Sequence, residues 1–212
     1  MTPHELIDFT IASDHFDFDS KDRSQGKMFE YILSEDIIKL NDKDLILEFG
    51  VFLGATIALI NKYTKDYTVY GFDSFEGLPE AWPDGSGGNI AEKGWLAMPE
   101  PPKNTDKNTY VVGLIEDTYP RFLEWYNTEK IQFVHVDVDL YKPAKTVFEL
   151  SYPRLKSGSI IVVDDIYGYP GWELNCCKAF SEFLTDTNLK VQPISSCGLR
   201  NNSWATVAYK VL

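Results

Sequence analysis

Short apolar segments, each closed by an acidic residue, alternate with helical patterns along most of this 212-residue chain. Continuous apolar runs of this length are typical of strands that are buried on both faces of a sheet. The runs and their closing acids are 45–47 with Glu48, 68–72 with Asp73, 131–136 with Asp137, and 159–163 with Asp164 and Asp165. The alternation therefore predicts a doubly wound α/β sheet, mostly parallel, with helices on both faces.

The segments around these strands predict helices and a hairpin at one edge of the sheet. Apolar residues at three- and four-residue spacing predict helices over 25–40 and 118–126. The last two strand patterns, 190–195 and 204–211, follow one another with no helix between them. They predict an antiparallel hairpin at one edge of a seven-stranded sheet.

The acidic residues that close the strands are expected to share one rim of the sheet. In a doubly wound sheet the carboxyl ends of the parallel strands lie on the same side, and ligands bind there, near the point where the strand order reverses. The sequence therefore predicts a functional site lined by these carboxylates.

The overall charge excludes several partners. The chain carries 20 Lys and Arg against 32 Asp and Glu, a formal net charge of −12, whereas nucleic acids and anionic membranes attract clustered basic residues. No apolar run approaches the roughly 20 residues of a spanning helix, and residues 1–10 lack the pattern of a secretory signal. The three cysteines cannot form a disulfide framework. We therefore expect a cytoplasmic protein that binds neither nucleic acid nor membranes.

A single domain is expected to contain most of the chain. Residues 1–24 are polar and acidic, and they predict a loosely packed N-terminal arm ahead of a domain over 25–212. Within that domain, the segment after the second strand is rich in Pro and Gly and carries Trp82 and Trp95, which a solvated linker would not need. A long connection of this kind predicts an inserted lid at about 81–108.

The turn after the first strand reads EFGVFLG over 48–54 and leads into a predicted helix. Its glycines permit a tight turn, and the N–H groups at the helix N-terminus favour an anionic group. Thr56 adds a hydroxyl that can donate to a carboxylate. The glycine spacing differs from the dinucleotide and phosphate-loop motifs, which disfavours a nicotinamide-dependent oxidoreductase. An ordinary strand-to-helix turn packed on glycines is the alternative interpretation.

Asp73 follows Glu48 by 25 positions and closes the second strand. An acidic side chain at that place can accept both hydrogen bonds from a ribose diol. An aminocarboxypropyl group at the glycine turn and a ribose at Asp73 together describe S-adenosylmethionine.

Longer motifs make the pattern specific. The chain reads GFDSFEGLP over 71–79, GLIEDTYP over 113–120, VDVDLY over 136–141 and GYPGW over 168–172. These motifs resemble those of the macrocin/mycinamicin-type sugar O-methyltransferases, which are class I S-adenosylmethionine-dependent enzymes. The resemblance spans 45–183 and implies a Rossmann-like fold. It also implies a homodimer, since members of the family often form dimers.

The resemblance implies a role for each matching residue of the cofactor site. Asp73 and Ser74 would hold the ribose, Ile115 and Glu116 would flank the adenine, and Asp137 would also lie against the cofactor. The residues expected to hold the methionine part are Glu48, Gly50, Phe52, Gly54 and Thr56.

Three aspartates, Asp137, Asp164 and Asp165, resemble the carboxylate trio that binds Mg²⁺ in metal-dependent members. Independently, carboxylates at neighbouring strand ends repel one another, and a hard divalent cation relieves that repulsion. The cation would orient a substrate hydroxyl and lower its pKa, and Asp139 would accept the proton as general base, with Asp137 as the alternative base. Helix capping or solvation in a loop is the other interpretation of the trio.

The predicted function is therefore that of an O-methyltransferase acting on a hydroxyl of a small molecule with the help of a divalent metal. The acceptor, a sugar or a sugar-bearing natural product, is implied by the resemblance alone. Metal-independent N- or O-methylation and non-catalytic cofactor binding are the alternatives. His135 lies in a strand buried on both faces and is predicted to be a core histidine.

Overall fold

The computed structural model describes residues 1–13, 25–65, 67–198 and 204–212. Within these ranges the chain forms a seven-stranded sheet and a separate two-stranded hairpin. The strands are β1 (Leu45–Phe49), β2 (Val69–Asp73), β3 (Trp82–Pro83), β4 (Asn89–Ala91), β5 (Asn108–Val112), β6 (Ile131–Val136), β7 (Leu155–Tyr167), β8 (Val191–Cys197) and β9 (Ala205–Val211). The α-helices are α1 (Pro3–Ala12), α2 (Gln25–Ile32), α3 (Ala55–Thr64), α4 (Ile115–Trp125), α5 (Tyr141–Ser151) and α6 (Cys176–Thr187).

The order of the strands across the large sheet is β5-β2-β1-β6-β7-β9-β8. In the part of the chain that the structure describes, neighbouring strands are parallel except at β9, which is antiparallel to both β7 and β8. The strand order reverses between β1 and β6, because β2 and β5 lie on one side of β1 and the later strands on the other. The predicted doubly wound sheet with a C-terminal antiparallel hairpin is confirmed.

Side chains of β1 alternate between the two faces of the sheet. Leu45, Leu47 and Phe49 pack in one core with α1, α4, α5 and α6, whereas Ile46 packs in a second core with α2 and α3. Glu48 falls on the second face by the same alternation, and it is fully buried. Cover on both faces is the reason that β1 appears in the sequence as a continuous apolar run.

The first segment is more ordered than its composition predicts. In place of a loosely packed arm, residues 3–12 form α1, which packs on α6. Thr2 caps the helix by accepting the N–H of Glu5, and the carboxylate of Glu5 accepts the N–H of Thr2 in return. Leu6 is fully buried in the first core. The expectation of a loose arm is therefore wrong for this helix, and 14–24 lie outside the described residues.

Two further helices have bounds that differ from the periodicity. The helix predicted over 25–40 ends at Ile32, and the chain then turns, with the N–H and the hydroxyl of Ser34 both donating to the carbonyl of Tyr31. The helix predicted from residue 118 begins at Ile115, so its N-terminus lies close to the end of β5. None of the helices in the described ranges combines the length and the apolar character needed to cross a bilayer.

The insertion between β2 and β5 folds onto the rim of the sheet. At its base, the N–H of Leu78 donates to the carbonyl of Trp95 at 2.9 Å, and the carbonyl of Leu78 accepts the N–H of Gly94 at 2.9 Å. Further along the insertion, β3 and β4 pair as an antiparallel hairpin. Trp82 is buried there and meets the ring of Tyr169 edge to face. The insertion therefore shares a small core with Leu140 and Tyr169, which lie outside it.

Candidate functional site

A cleft lies at the carboxyl ends of β1, β2, β5 and β6, on the rim where the strand order reverses. The turns that follow these four strands form most of its wall. Its lining residues are Gly50, Val51, Phe52, Phe72, Asp73, Ser74, Gly77, Leu78, Pro79, Leu96, Gly113, Leu114, Ile115, Glu116, Asp137, Val138, Asp139 and Pro143. This set includes most of the cofactor residues that the sequence predicts, together with the predicted base.

The glycine turn, residues 48–54, lies in close contact with the end of β6. The N–H of Gly50 donates to the carbonyl of Phe72 at 2.9 Å, and the φ of Gly50 is +83°, in the left-handed region. A Cβ at this position would lie 1.6 Å from the carbonyl oxygen of Asp137. Gly54 then begins α3 with φ +77°, so no side chain caps the first N–H groups of that helix.

Asp73 ties the glycine turn to the loop that follows β2. Its Oδ2 accepts the N–H groups of Val51 at 2.8 Å and Phe52 at 2.9 Å, and its Oδ1 accepts the N–H of Phe75 at 2.8 Å. A carboxylate has about four acceptor positions, so about one is left for a ligand. Three of the acceptor positions of Asp73 are thus occupied by backbone N–H groups of the protein.

The other predicted residues around the ribose and adenine also line the cleft. Ser74 bonds within its own loop, where its hydroxyl accepts the N–H of Glu76 at 3.1 Å. Ile115 opens α4 and is nearly buried. Glu116, in the same first turn, pairs with Lys142 at 3.6 Å. This ion pair joins the N-termini of α4 and α5 beside the cleft.

Glu48 lies behind the cleft and does not line it. Its Oε1 is 3.1 Å from Nδ1 of His135, and both side chains are fully buried. Burial raises the pKa of Glu48, and the hydrogen bond with His135 opposes that shift. Glu48 is therefore not among the residues that line the cleft, because the alternation of β1 directs this side chain to the face covered by α2. Gly54 and Thr56 also fall outside the residues that line the cleft.

Four aspartates converge just past the end of β6 and near the end of β7, which continues past Asp164 and Asp165 to Tyr167 where the sequence predicts a strand that they close. Carboxylate oxygens of Asp137, Asp139 and Asp165 lie within 4.8 Å of one another. Asp139 and Asp165 have φ values of +60° and +47°, which non-glycine residues rarely adopt. Asp164 belongs to a second group within the same distance, formed with Asp137 and His135. The predicted trio is thus divided between two groups that share Asp137.

Burial and mutual repulsion raise the pKa values of this cluster. For Asp137, Asp139 and Asp165, burial is the largest cause of the raised pKa, and the negative charge of Asp164 is the second largest. Together they raise the pKa of Asp137 well above its ordinary value, that of Asp139 to about 7 and that of Asp165 to about 9. A divalent cation with oxygen ligands would neutralise this repulsion, so the donor set fits such an ion.

Sequence reasoning missed part of the cleft wall. Residues 77–79 line it, and their signal was the motif at 71–79, to which only Asp73 and Ser74 were assigned roles. Leu96 from the insertion and Pro143 from the first turn of α5 also line it. Neither stands in a pattern that marks a site, because each reaches the rim only through the folding of its segment.

Comparison with known proteins gives a family and a fold. A family model described as a methyltransferase domain matches residues 47–166, whereas no curated protein matches the sequence. The solved structure of CalS11, a calicheamicin methyltransferase, is similar with a TM-score of 0.66 at 21% identity, and the alignment covers 98% of this chain and 90% of that one. The O-methyltransferase NovP is similar with a TM-score of 0.61 at 20% identity, over 87% of this chain and 76% of its own. An O-methyltransferase from Bacillus cereus in complex with SAH has a TM-score of 0.57 at 15% identity, over 99% of this chain and 90% of its own.

The matched region is the part of the chain that builds the cleft. It runs from β1 to the end of β7 and contains the glycine turn, Asp73 and all four aspartates of the cluster. At these identities the solved structures show that the fold is shared. The family match covers more than half of the 212 residues. The chain therefore belongs to the methyltransferase domain family, and it is an S-adenosylmethionine-dependent methyltransferase.

Proposed function

We propose that this protein transfers the methyl group of S-adenosylmethionine to a hydroxyl of a sugar or of a sugar-bearing natural product. The observation that carries the proposal is the position of Asp139 in the same cleft as the glycine turn and Asp73. The motifs at 71–79 and 136–141 support the macrocin/mycinamicin-type subfamily. The fold shared with a calicheamicin methyltransferase and with the O-methyltransferase NovP supports the acceptor class.

The cleft suggests how the cofactor would lie. The amino-acid end would meet the backbone at Gly50 and Phe52, close to the N-terminus of α3. The ribose would use the remaining acceptor position of Asp73, and the adenine would lie against Ile115 at the start of α4. This path would bring the sulfonium group towards the end of β6.

The acceptor hydroxyl would lie between the methyl group and the carboxylate of Asp139. As the new C–O bond forms, the C–S bond of the sulfonium breaks, and the hydroxyl proton moves to Asp139. The neutral thioether S-adenosylhomocysteine leaves. Alignment of the oxygen with the C–S bond supplies much of the rate, so the walls of the cleft contribute by positioning.

We also propose that Asp137, Asp164 and Asp165 take part in holding a divalent cation such as Mg²⁺. When bound, the cation would polarise the acceptor hydroxyl and lower its pKa. The convergence of carboxylates at the ends of β6 and β7 supports this role. So does the position of the half-buried Asp137 and the buried Asp139 beside like charges, an arrangement that favours a counter-ion.

Calorimetric titration of Asp73→Ala with S-adenosylmethionine tests the cofactor assignment. We expect at least about a tenfold weaker affinity, since a hydrogen bond to a charged group contributes about 1.5–3 kcal/mol. Asp106→Ala is the control, because that side chain is exposed and lies outside the cleft lining. Equal affinity for the variant and the native protein would remove the ribose assignment.

The same substitution also frees the backbone N–H groups that Asp73 holds, so a second ligand is needed. We expect Asp73→Ala to weaken binding of the product cofactor more than it weakens binding of the 2′,3′-dideoxy analogue. Equal losses for the two ligands would mean that Asp73 acts only through the turn.

Removal of metal tests the role of the cation. We expect methyl transfer to fall by at least about tenfold after exhaustive chelation, and to recover when a divalent cation is added back, because Lewis-acid activation of the hydroxyl contributes several kcal/mol. A radiolabelled methyl-transfer assay with and without chelator measures this. Full activity in the chelated protein would contradict the metal role and leave the transfer itself in place.

A further inference from the structure

A buried polar pair lies behind the cleft, at the sheet face covered by α2. Glu48 on β1 and His135 on β6 are direct partners in the strand register, and neither side chain is exposed. The edge of one ring meets the face of the other where Phe29 packs on His135, with 5.4 Å between ring centroids. Among the described residues, Nε2 of His135 has no hydrogen-bond partner. A buried imidazole nitrogen without a partner is unfavourable unless a ligand completes it.

The unpartnered imidazole borders the aspartate cluster. A ring nitrogen of His135 and carboxylate oxygens of Asp137 and Asp164 lie within 4.8 Å of one another. Nδ1 already bonds with Glu48, which leaves Nε2 as the nitrogen able to bind an ion. The hydroxyl of Thr206 donates to Oδ1 of Asp164 and orients that carboxylate. The group therefore offers one nitrogen and two carboxylates around one point.

We propose that Nε2 of His135 is a ligand of the divalent cation, together with Asp137 and Asp164, and that Glu48 is a positioning residue for the imidazole. The proposal rests on the cation of the proposed function. Histidines that bind metals usually donate their other ring N–H to a carboxylate, which sets the tautomer and orients the ring. The Glu48–His135 contact at 3.1 Å has that arrangement.

The donor set has a consequence for the kind of metal. An imidazole with carboxylates suits Mn²⁺, Fe²⁺, Co²⁺ or Zn²⁺, whereas an all-oxygen set suits Mg²⁺. The competing group of Asp137, Asp139 and Asp165 is all-oxygen. Because the two groups share Asp137, only a test of His135 against Asp165 separates them.

Mn²⁺ alone, added to the full chain, is the probe. Electron spin-echo envelope modulation detects ¹⁴N bound to Mn²⁺, and calorimetry gives the affinity. We expect nitrogen modulation in the native protein, its loss in His135→Gln, and an affinity for Mn²⁺ that is lower by about 10- to 100-fold in that variant. Asp117→Asn, which removes an exposed carboxylate that lies outside both groups, is the matched control and is expected to leave the affinity unchanged.

Glu48→Gln tests the positioning role. We expect it to keep the nitrogen modulation with an altered ¹⁴N quadrupole coupling and a weaker affinity for Mn²⁺, since the hydrogen bond to the imidazole changes. A purely structural role would leave the coupling unchanged.

Two other outcomes would contradict the proposed metal ligands. Absence of nitrogen modulation, with Asp165→Asn losing affinity and His135→Gln retaining it, would place the ion in the all-oxygen group and overturn this proposal alone. A native protein that binds no Mn²⁺ and no Mg²⁺ would overturn both this proposal and the metal role, while titration with S-adenosylmethionine would still report on the cofactor. The measurement on the native protein does not depend on how well a variant folds.

Discussion

Asp139→Asn is expected to lower kcat for methyl transfer by about 10²- to 10⁴-fold, the range that a positioned general base contributes. An amide cannot accept the hydroxyl proton, and the substitution changes the shape of the side chain little. Asp139 lines the cleft and is nearly buried at the end of β6. A steady-state assay with a sugar acceptor measures the loss.

Asp139→Asn is expected to slow methyl transfer without weakening cofactor binding. We expect Asp139→Asn to bind S-adenosylmethionine as the native protein does, because Asp73 and the glycine turn are not altered. Asp117→Asn is the control, since Asp117 is an exposed acid in the first turn of α4. Near-native kcat in Asp139→Asn would exclude it as the base and favour Asp137.

Gly50→Ala is expected to destabilise the fold by about 3 kcal/mol or more, a sum of the left-handed backbone cost and of overpacking. The added Cβ would lie 1.6 Å from the carbonyl oxygen of Asp137, so either the turn or the end of β6 must move. For a chain of this size such a loss corresponds to a drop in Tm of about 6–12 °C. Thermal and urea unfolding measure the change.

Gly94→Ala separates the two causes. Gly94 has φ +86°, close to the +83° of Gly50, but a Cβ there meets no atom within 4 Å. We therefore expect only the backbone cost of about 1–2 kcal/mol. Equal destabilisation by the two substitutions would mean that the close approach of Gly50 to Asp137 does not matter.

Much of the fold could be predicted because its signals are local. β6 has the bounds that its apolar run predicts, and β1 extends only to Phe49, one residue past the predicted closing acid. The expectations that failed concern segments whose outcome depends on distant partners. α1 is held in place by α6 and by the bond of Thr10 with Tyr209, both of which are distant along the chain. α2 is a local exception: it ends at Ile32, and the Ser34 hydroxyl donates to the carbonyl of Tyr31 just beyond that end.

The candidate site also has features that the sequence predicts and features that depend on distant partners. That Asp73, Asp137 and Asp139 would meet at one rim follows from the rule for parallel strands, and all three line the cleft. Which donors occupy the acceptor positions of Asp73 could not be foreseen, since Val51 and Phe52 belong to a different turn. His135 is buried against Phe29, as the prediction of a core histidine requires. Its proximity to Asp137 and Asp164 could not be foreseen, because folding brings these side chains together.

By itself the sequence determined the order of strands and helices and the rim that the acidic residues share, because these depend on the repeat of apolar residues and on strand polarity. Only the tertiary structure decided which carboxylates line the cleft and which are buried against another side chain. Glu48 pairs with His135 because β1 and β6 align in that register, and a shift of β1 by one residue would turn Glu48 to the other face of the sheet. Register is a property of two segments brought together, so neither segment contains it alone.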